Sequence, residues 1–154
     1  MLSLFTYFSM KDNAIRQNAG EIVLRNLEVD GADRFLQYNF SGNEVWSRGV
    51  PLESIRFENV SARGIKLPLC AYGAKDCPLE LRLENFRLSS DGTLSELVRG
   101  ANFKVLGLKD VTVEGVDGVL LRNYGPSATI ETERVKGVVP VEERTAEPFK
   151  VKAI

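Results

Sequence analysis

An eight-residue pattern that recurs five times constrains this chain more than any other feature of its sequence. The copies are IVLRNLEV (22–29), IRFENVSA (55–62), LRLENFRL (81–88), LGLKDVTV (106–113) and, more weakly, IETERVKG (130–137). They begin 33, 26, 25 and 24 residues apart, so the period is close to 25. Apolar residues stand at positions one, three, six and eight, whereas an uninterrupted strand would place them at every second position. Each copy is therefore predicted to be strand, bend, strand.

The residue at the bend is polar in all five copies. The bend residues are Asn26, Asn59, Asn85, Asp110 and Arg134. Asn and Asp tolerate the left-handed backbone conformation that a one-residue corner requires. Asn also hydrogen-bonds readily to nearby groups, so we expect the corner side chains to form a stack that faces inward.

A further short apolar segment precedes each copy or lies between copies, and it predicts a third strand per repeat. These segments are AIRQ (14–17), FLQY (35–38), PLCAY (68–72), ELVRG (96–100) and VLLRN (119–123). Three short strands in about 25 residues predict one coil of an all-β, right-handed, single-stranded parallel β-helix, a pectate-lyase-like solenoid of about five coils. Ile22, Ile55, Leu81, Leu106 and Ile130 would then stack in one apolar column. A β-sandwich is the alternative, and the recurrence of the slip at one place disfavours it.

The outward positions of the repeat carry charges that such stacking would align. Arg25, Glu58, Glu84, Lys109 and Glu133 form one predicted exterior column, and Val23, Arg56, Arg82, Gly107 and Glu131 form its neighbour. Glu58 and Glu84 would lie about 5 Å apart, which suits a retaining carboxylate pair in principle. Neighbouring arginines would keep both ionised, so a surface ladder is the favoured interpretation. Asp30 and Asp33 are similarly predicted to be turn residues and not an acid/base pair.

Length, charge and composition describe one globular domain. The chain has 154 residues, 20 Lys and Arg against 21 Asp and Glu, and 44% hydrophobic residues. We predict an N-terminal cap or first strand over 1–13, the parallel β-helix over 14–138 and a C-terminal tail over 139–154. Without a basic cluster or an apolar run of about 18 residues, neither a nucleic acid nor a membrane is an expected partner. The start MLSLFTYFSM lacks the features of a signal peptide, which leaves the cellular location open.

The chain contains no histidine, which excludes Ser-His-Asp and Cys-His catalysis and every His-ligated metal site. Its two cysteines, Cys70 and Cys77, cannot form a four-thiolate zinc site. No metal and no cofactor are expected. The two thiols are either bridged across AYGAKD or are one buried small residue and one loop thiol, and the sequence leaves both alternatives open.

The segment IRFENVSARGIKLPLCAYGAKDCPLELRLENF (55–86) resembles late coils of polygalacturonase-like proteins, the pectin-degrading β-helix enzymes of glycoside hydrolase family 28. FLQYNFSGNEVWSRGVPLESIRFENV (35–60) is also similar to a late segment of bacterial members, and the resemblance covers roughly residues 14–140. It implies a C-terminal portion of such a hydrolase. The family's Asn-Thr-Asp, Asp-Asp, Gly-His-Gly and Arg-Ile-Lys motifs are absent, so the resemblance implies a chain that is inactive alone, because inverting hydrolysis needs an acid/base pair.

The first interval of the repeat is longer than the others, and the excess falls in NFSGNEVWSRGVP (39–51). An insertion in one coil of a solenoid becomes a loop on one face, often the binding face. Trp46 could stack on a sugar ring and Arg48 could bind a uronate carboxylate, with Tyr38 at the entrance of the loop. These three are the predicted substrate-binding residues, and no catalytic residue is predicted. The alternative is that Trp46 folds over the side of the solenoid and Arg48 is solvated.

Three functions follow from these observations. The first is a β-helix that binds, or completes a groove for, a plant-type acidic polysaccharide without hydrolysing it. The second is a structural solenoid that pairs end to end with itself or with an upstream domain, since solenoids expose strand edges at both ends. The third is an intact hydrolase or lyase with an unfamiliar catalytic centre, for which no carboxylate cluster of suitable spacing is present.

Overall fold

A computed structural model describes residues 3–7, 20–41 and 49–144. Within these ranges the chain forms ten strands and no helix. The strands are β1 (Ser3–Tyr7), β2 (Glu21–Asn39), β3 (Ser54–Leu67), β4 (Leu69–Tyr72), β5 (Leu79–Ser89), β6 (Glu96–Ala101), β7 (Phe103–Glu114), β8 (Val119–Asn123), β9 (Thr129–Lys136) and β10 (Val138–Arg144). The prediction of an all-β fold is confirmed.

The described strands form one sheet in the order β10-β8-β6-β4-β2-β3-β5-β7-β9, with β1 beside β2. Every strand pair in it is parallel. The 19-residue strand β2 joins the two halves, because its first part pairs with β3 and residues 37–39 pair with β4. This parallel sheet is unlike the antiparallel sheets of the sandwich that the sequence left as an alternative.

The strand register follows the sequence repeat. Ile22 pairs with Ile55, Ile55 with Leu81, Leu81 with Leu106, and Leu106 with Ile130. The predicted apolar column is therefore confirmed, and so are the two charged columns beside it. Residues about 25 positions apart in the sequence are hydrogen-bonded neighbours in the sheet.

All five predicted corners adopt the left-handed conformation, with φ between 47° and 56°. Their side chains form the expected stack: Asn59 Nδ2 donates to Asn26 Oδ1 at 2.7 Å, and Asn85 Nδ2 donates to Asn59 Oδ1 at 3.0 Å. The predicted inward direction is wrong, because these hydrogen bonds are exposed. Phe57 and Val60, on either side of the Asn59 corner, are both buried, which leaves the two residues between them on the outside.

Aromatic rings fill the core where the two halves of the sheet meet. The ring centroid of Phe35 lies 5.0 Å from that of Phe57 and 5.4 Å from that of Phe86. All three rings are buried, and burial of one such side chain contributes about 1.5–3 kcal/mol. Phe5 of β1 packs edge-on against Phe35 at 5.6 Å, so the first strand is attached to the same core.

The two terminal strands extend the half of the sheet that contains β4, β6 and β8. β1 pairs with residues 34–38 of β2, and β10 pairs with β8. The predicted N-terminal segment 1–13 thus contains a strand, and the predicted tail 139–154 contains most of β10. Residues 8–19 and 145–154 lie outside the described ranges.

Candidate functional site

The predicted sugar-binding residues begin with Tyr38, which lies inside the fold. Its ring is 0% exposed and stacks on Phe40 at 4.9 Å. Its hydroxyl oxygen accepts a hydrogen bond of 2.9 Å from the Leu52 N–H, and burial raises the pKa of the phenol. Trp46 and Arg48 lie outside the described residues, so their contact with a sugar stays a prediction.

Glu58 and Glu84 are adjacent in the exterior column, as the repeat predicts. Arg25 Nε lies 3.4 Å from a carboxylate oxygen of Glu58, and Arg56 lies 3.9 Å from Glu84. Each exposed ion pair of this kind contributes at most about 1 kcal/mol. Both carboxylates thus belong to a surface ladder of ion pairs.

The placement of Asp30 and Asp33 corrects the sequence prediction. Both belong to the continuous strand β2 and not to a turn, because Gly31, with φ of 84°, bends the chain without interrupting the pairing with β3. The Asp30 carboxylate accepts a hydrogen bond of 2.8 Å from Arg63 on the next strand. Asp30 therefore extends the outer ladder of charges.

Cys70 and Cys77 are free thiols, and both are buried. The expectation of a loop thiol is wrong for Cys77, which is 7% exposed and whose Sγ lies 3.6 Å from the Leu52 carbonyl oxygen. It is covered because its segment folds back on itself through a bridge with Ala74. Burial raises the pKa of both thiols, so neither is an activated nucleophile.

A groove of about 560 Å³ opens beside Cys77, and its lining is mainly acidic. The lining residues are Glu21, Glu53, Ser54, Asp76, Cys77, Pro78, Glu80 and Lys104. A polyanion would be repelled from such a surface. In the described ranges, no three acidic or cysteine side chains are grouped as a metal ion would require, and no helix has the length and apolarity to cross a membrane.

A different chemistry is found on the outer side of β4, β6 and β8. The Glu96 side chain is only 4% exposed and bridges two arginines on neighbouring strands. Its Oε1 accepts a hydrogen bond of 2.9 Å from Arg99 Nε, and its Oε2 accepts one of 2.7 Å from Arg122 Nε. We call this surface, with Tyr72 and Tyr124, the arginine face.

The parallel register brings the two arginines together. Arg99 pairs directly with Arg122, while the residues before them, Val98 and Leu121, pair with each other and are buried. Side chains alternate along a strand, so both arginines point outward. Gly100 is needed where β6 pairs with β4, because a Cβ there would lie 1.6 Å from the Ala71 carbonyl oxygen.

Both arginine side chains remain charged and partly accessible. Burial alone would lower the pKa of Arg99, but the hydrogen bond to Glu96 and the negative charge of that carboxylate together outweigh burial, and the pKa is raised. The hydrogen bond to Glu96 likewise raises the pKa of Arg122. The Arg99 side chain is 44% exposed and that of Arg122 is 24% exposed. The Glu96 carboxylate thus binds both arginines, and Glu143 of β10 pairs with Arg122 from the other side.

Two tyrosines, Tyr72 and Tyr124, lie near the two arginines. Tyr72, on the strand next to Arg99, is half-buried. Burial is the main cause, and the nearby Cys70 a smaller one, of a rise in the pKa of Tyr72 to about 12. Tyr124 follows β8 directly and is also half-buried. Arginines beside aromatic rings can bind an anionic sugar through its carboxylate and its apolar ring face.

No protein-family model, curated protein or solved structure matches the chain. Its function must be argued from the geometry of its own residues.

The arginine face was not predicted from the sequence, although one feature of the chain could have indicated it. ELVRG and VLLRN each place an arginine after the apolar residues of the third strand. Aligning these two segments as the repeat was aligned would have stacked Arg99 on Arg122. The contribution of Glu96 was harder to anticipate, because the pairing of β6 with β8 shifts its register between Glu96 and Val98.

Proposed function

We propose that the chain is a right-handed parallel β-helix of about five coils, related to the C-terminal coils of family 28 polygalacturonases, and that it binds an acidic polysaccharide of the pectin type. The proposed coils are supported by the order of the strands. Along the chain, β3, β5, β7 and β9 each precede a member of the other half of the sheet, namely β4, β6, β8 and β10. A chain that alternates between two parallel ladders at an interval of about 25 residues winds in one direction, and such crossovers are right-handed.

The observation that carries the proposed binding is the arginine pair held by the buried Glu96. Glu96 fixes the orientation of both guanidinium groups, through Nε and Nη2 of Arg99 and through Nε of Arg122. Arginine binds carboxylates with parallel hydrogen bonds. Arg99 and Arg122 lie on neighbouring strands, which are about 4.8 Å apart. Two fixed cations along a line suit a polymer that carries a carboxylate on successive sugars.

The proposed role is binding without hydrolysis. The motifs that the resemblance to family 28 would require are absent from the sequence. Glu58 and Glu84 each form an ion pair with an arginine of the exterior ladder, Arg25 and Arg56 respectively, so neither is placed as the acid or base of a hydrolysing pair. We expect no new reducing ends when the protein is incubated with polygalacturonate.

The test of binding is a calorimetric titration with polygalacturonate and with its fully methyl-esterified form, which lacks the negative charges. Arg99→Ala and Arg122→Ala should each weaken binding of the charged polymer about tenfold, because a charge-assisted hydrogen bond contributes roughly 1.5–3 kcal/mol. Arg99→Lys keeps the charge but not the planar donor pair, so it should recover only part of the affinity.

The matched control is Arg87→Ala, since Arg87 is an exposed arginine on β5, in the other half of the sheet. This variant should bind as the unaltered protein does. Equal binding of both polymers, or equal losses in the Arg87 and Arg99 variants, would contradict the proposed site. Trp46→Ala then asks whether the predicted loop adds a stacking contact to the same ligand.

A structural solenoid without carbohydrate binding is the second candidate function. It is favoured by one observation, the unpaired strand edges that the described residues leave at both ends of the sheet. This alternative would be favoured if no binding heat were measured with either polymer and the protein associated with itself in solution.

A further inference from the structure

Two strand edges of the sheet are complementary: the outer edge of β9 and the edge of residues 21–30 of β2 that does not face β3. Among the described residues, β9 pairs only with β7, and residues 21–30 of β2 pair only with β3. Ile22 and Leu27 in that part of β2 are half-buried, whereas their partners Ile55 and Val60 are buried. Apolar side chains at the β2 edge are thus covered on one side only.

Continuing the register of the repeat by one more step would place β9 of one copy against residues 21–30 of a second copy. Ile130 would lie beside Ile22, and Val135 beside Leu27. Glu133 would lie beside Arg25, and Lys136 beside Glu28. The apolar column that contains Ile22 would therefore continue across the junction, and the charged column that contains Arg25 would continue with opposite charges paired.

β1 stands in the way of this junction. Within β2, residues 21–30 and 34–38 belong to one proposed coil, as do β9 and β10. If β9 paired with residues 21–30 of a second copy, β10 of the first copy would reach the edge of residues 34–38 in the second. That edge is occupied by β1, which pairs with it from Ser3 to Tyr7.

β1 is held there by its pairing with β2 and by two aromatic side chains, those of Phe5 and Tyr7. The Tyr7 ring stacks on Tyr38 at 5.9 Å and on Phe40 at 5.7 Å. Phe5 packs on Phe35 at 5.6 Å and on Phe57 at 5.8 Å, and the Tyr7 hydroxyl donates a 2.8 Å hydrogen bond to the Val50 carbonyl oxygen. We propose that β9 and residues 21–30 of β2 are matched surfaces for head-to-tail addition of a second copy of this chain, and that β1 blocks the addition. The proposal rests on the coil geometry proposed above, and it is independent of polysaccharide binding.

The test is analytical ultracentrifugation of full-length variants over a range of concentrations. Phe5→Asp buries a charge beneath β1 and should release the strand, so the average mass should rise with concentration to at least twice that of the monomer. Leu4→Asp adds the same charge on the exposed face of β1 and should behave as the unaltered protein does. A Phe5→Asp protein that is folded and remains monomeric overturns the proposal.

A charge exchange shows whether the association uses the proposed edges. Arg25→Glu in the Phe5→Asp protein should abolish the rise in mass, and adding Glu133→Arg should restore it. Association that ignores these changes is non-specific and also overturns the proposal. If circular dichroism shows Phe5→Asp to be unfolded, Tyr7→Phe decides, since it removes one hydrogen bond and should cause a smaller rise in mass.

The binding of polygalacturonate provides the separate readout. Phe5→Asp leaves Arg99 and Arg122 in place, so its affinity for the polymer should equal that of the unaltered protein. If the Phe5→Asp protein binds polygalacturonate but does not assemble, only the proposed assembly is rejected. If it assembles but neither it nor the unaltered protein binds the polymer, only the proposed polysaccharide site is rejected.

Discussion

Each corner of the repeat depends on one residue in the left-handed conformation, a conformation that costs ordinary L-residues about 1–2 kcal/mol. Asn59 lowers this cost and also links its neighbours, because its amide donates to Asn26 and its carbonyl oxygen accepts from Asn85. The last rung uses different chemistry: Arg134 donates to both oxygens of Asp110 and lowers the pKa of that carboxyl group. An arginine can hold a left-handed corner here because its side chain is tied to the corner before it.

Replacement of Asn59 separates the backbone contribution from the side-chain contribution. Asn59→Ala removes both and should destabilise the protein by about 1–2 kcal/mol. Asn59→Gly keeps the left-handed conformation available and should cost less, which reverses the usual order of glycine and alanine in a strand. Urea unfolding measures both values, with the exposed Ser61→Ala as the control expected to change stability by less than about 0.5 kcal/mol. A glycine variant less stable than the alanine variant would show that the corner conformation contributes little.

Among the elements, the pairing of the repeat strands was predictable from the sequence and the pairing of the terminal strands was not. Ile55, Leu81 and Leu106 recur at a constant spacing, because a parallel ladder places equivalent residues side by side. β10 lies outside the copies of the sequence repeat, and its pairing with β8 contains a register shift between Val138 and Glu142. The arginine face was missed for a related reason: Glu96 and Arg122 meet only through the fold.

Glu142 holds β10 in place through a network that should respond to pH. Its carboxylate accepts hydrogen bonds from Asn123 Nδ2 at 2.8 Å, from the Ala128 N–H at 3.1 Å and from the Ser127 hydroxyl. Burial raises the pKa of Glu142, but these donors and the charge of Arg144 outweigh it and lower the pKa below the usual 4.5. The folded protein thus binds the proton less tightly than the unfolded chain does.

The stabilisation by Glu142 is therefore complete above about pH 4.5 and is lost as the pH falls through the lowered value. Glu142→Gln should reduce stability at neutral pH and flatten its dependence on pH below 4.5. Thermal unfolding across this range measures both effects. Glu143→Gln, at the exposed neighbouring position of β10, is the matched control. If it changed the dependence of stability on pH as much as Glu142→Gln does, the role of the network would be contradicted.

At the scale of the whole molecule, each strand of the ladder contacts only the strands before and after it, so stability should vary along the stack. The apolar column illustrates this gradient: Ile55, Leu81 and Leu106 are at most 2% exposed, whereas Ile22 and Ile130 at its two ends are only partly buried. Solenoids with nearest-neighbour contacts open from their ends, because an end coil loses one interface and a middle coil loses two. Local opening of this kind is visible in amide hydrogen exchange.

Hydrogen exchange followed by mass spectrometry should therefore show the strongest protection in β5 and weaker protection in β9 and in residues 21–30 of β2. The gradient should survive Arg87→Ala, which removes an exposed side chain, and should steepen in Asn59→Ala, which weakens the junction between β2 and β3. Equal protection in all strands would mean that the sheet unfolds as one unit, and that its ends are stabilised as well as its middle. In that case the two edges would not be open to a second copy, and the capping role of β1 would lose its physical basis.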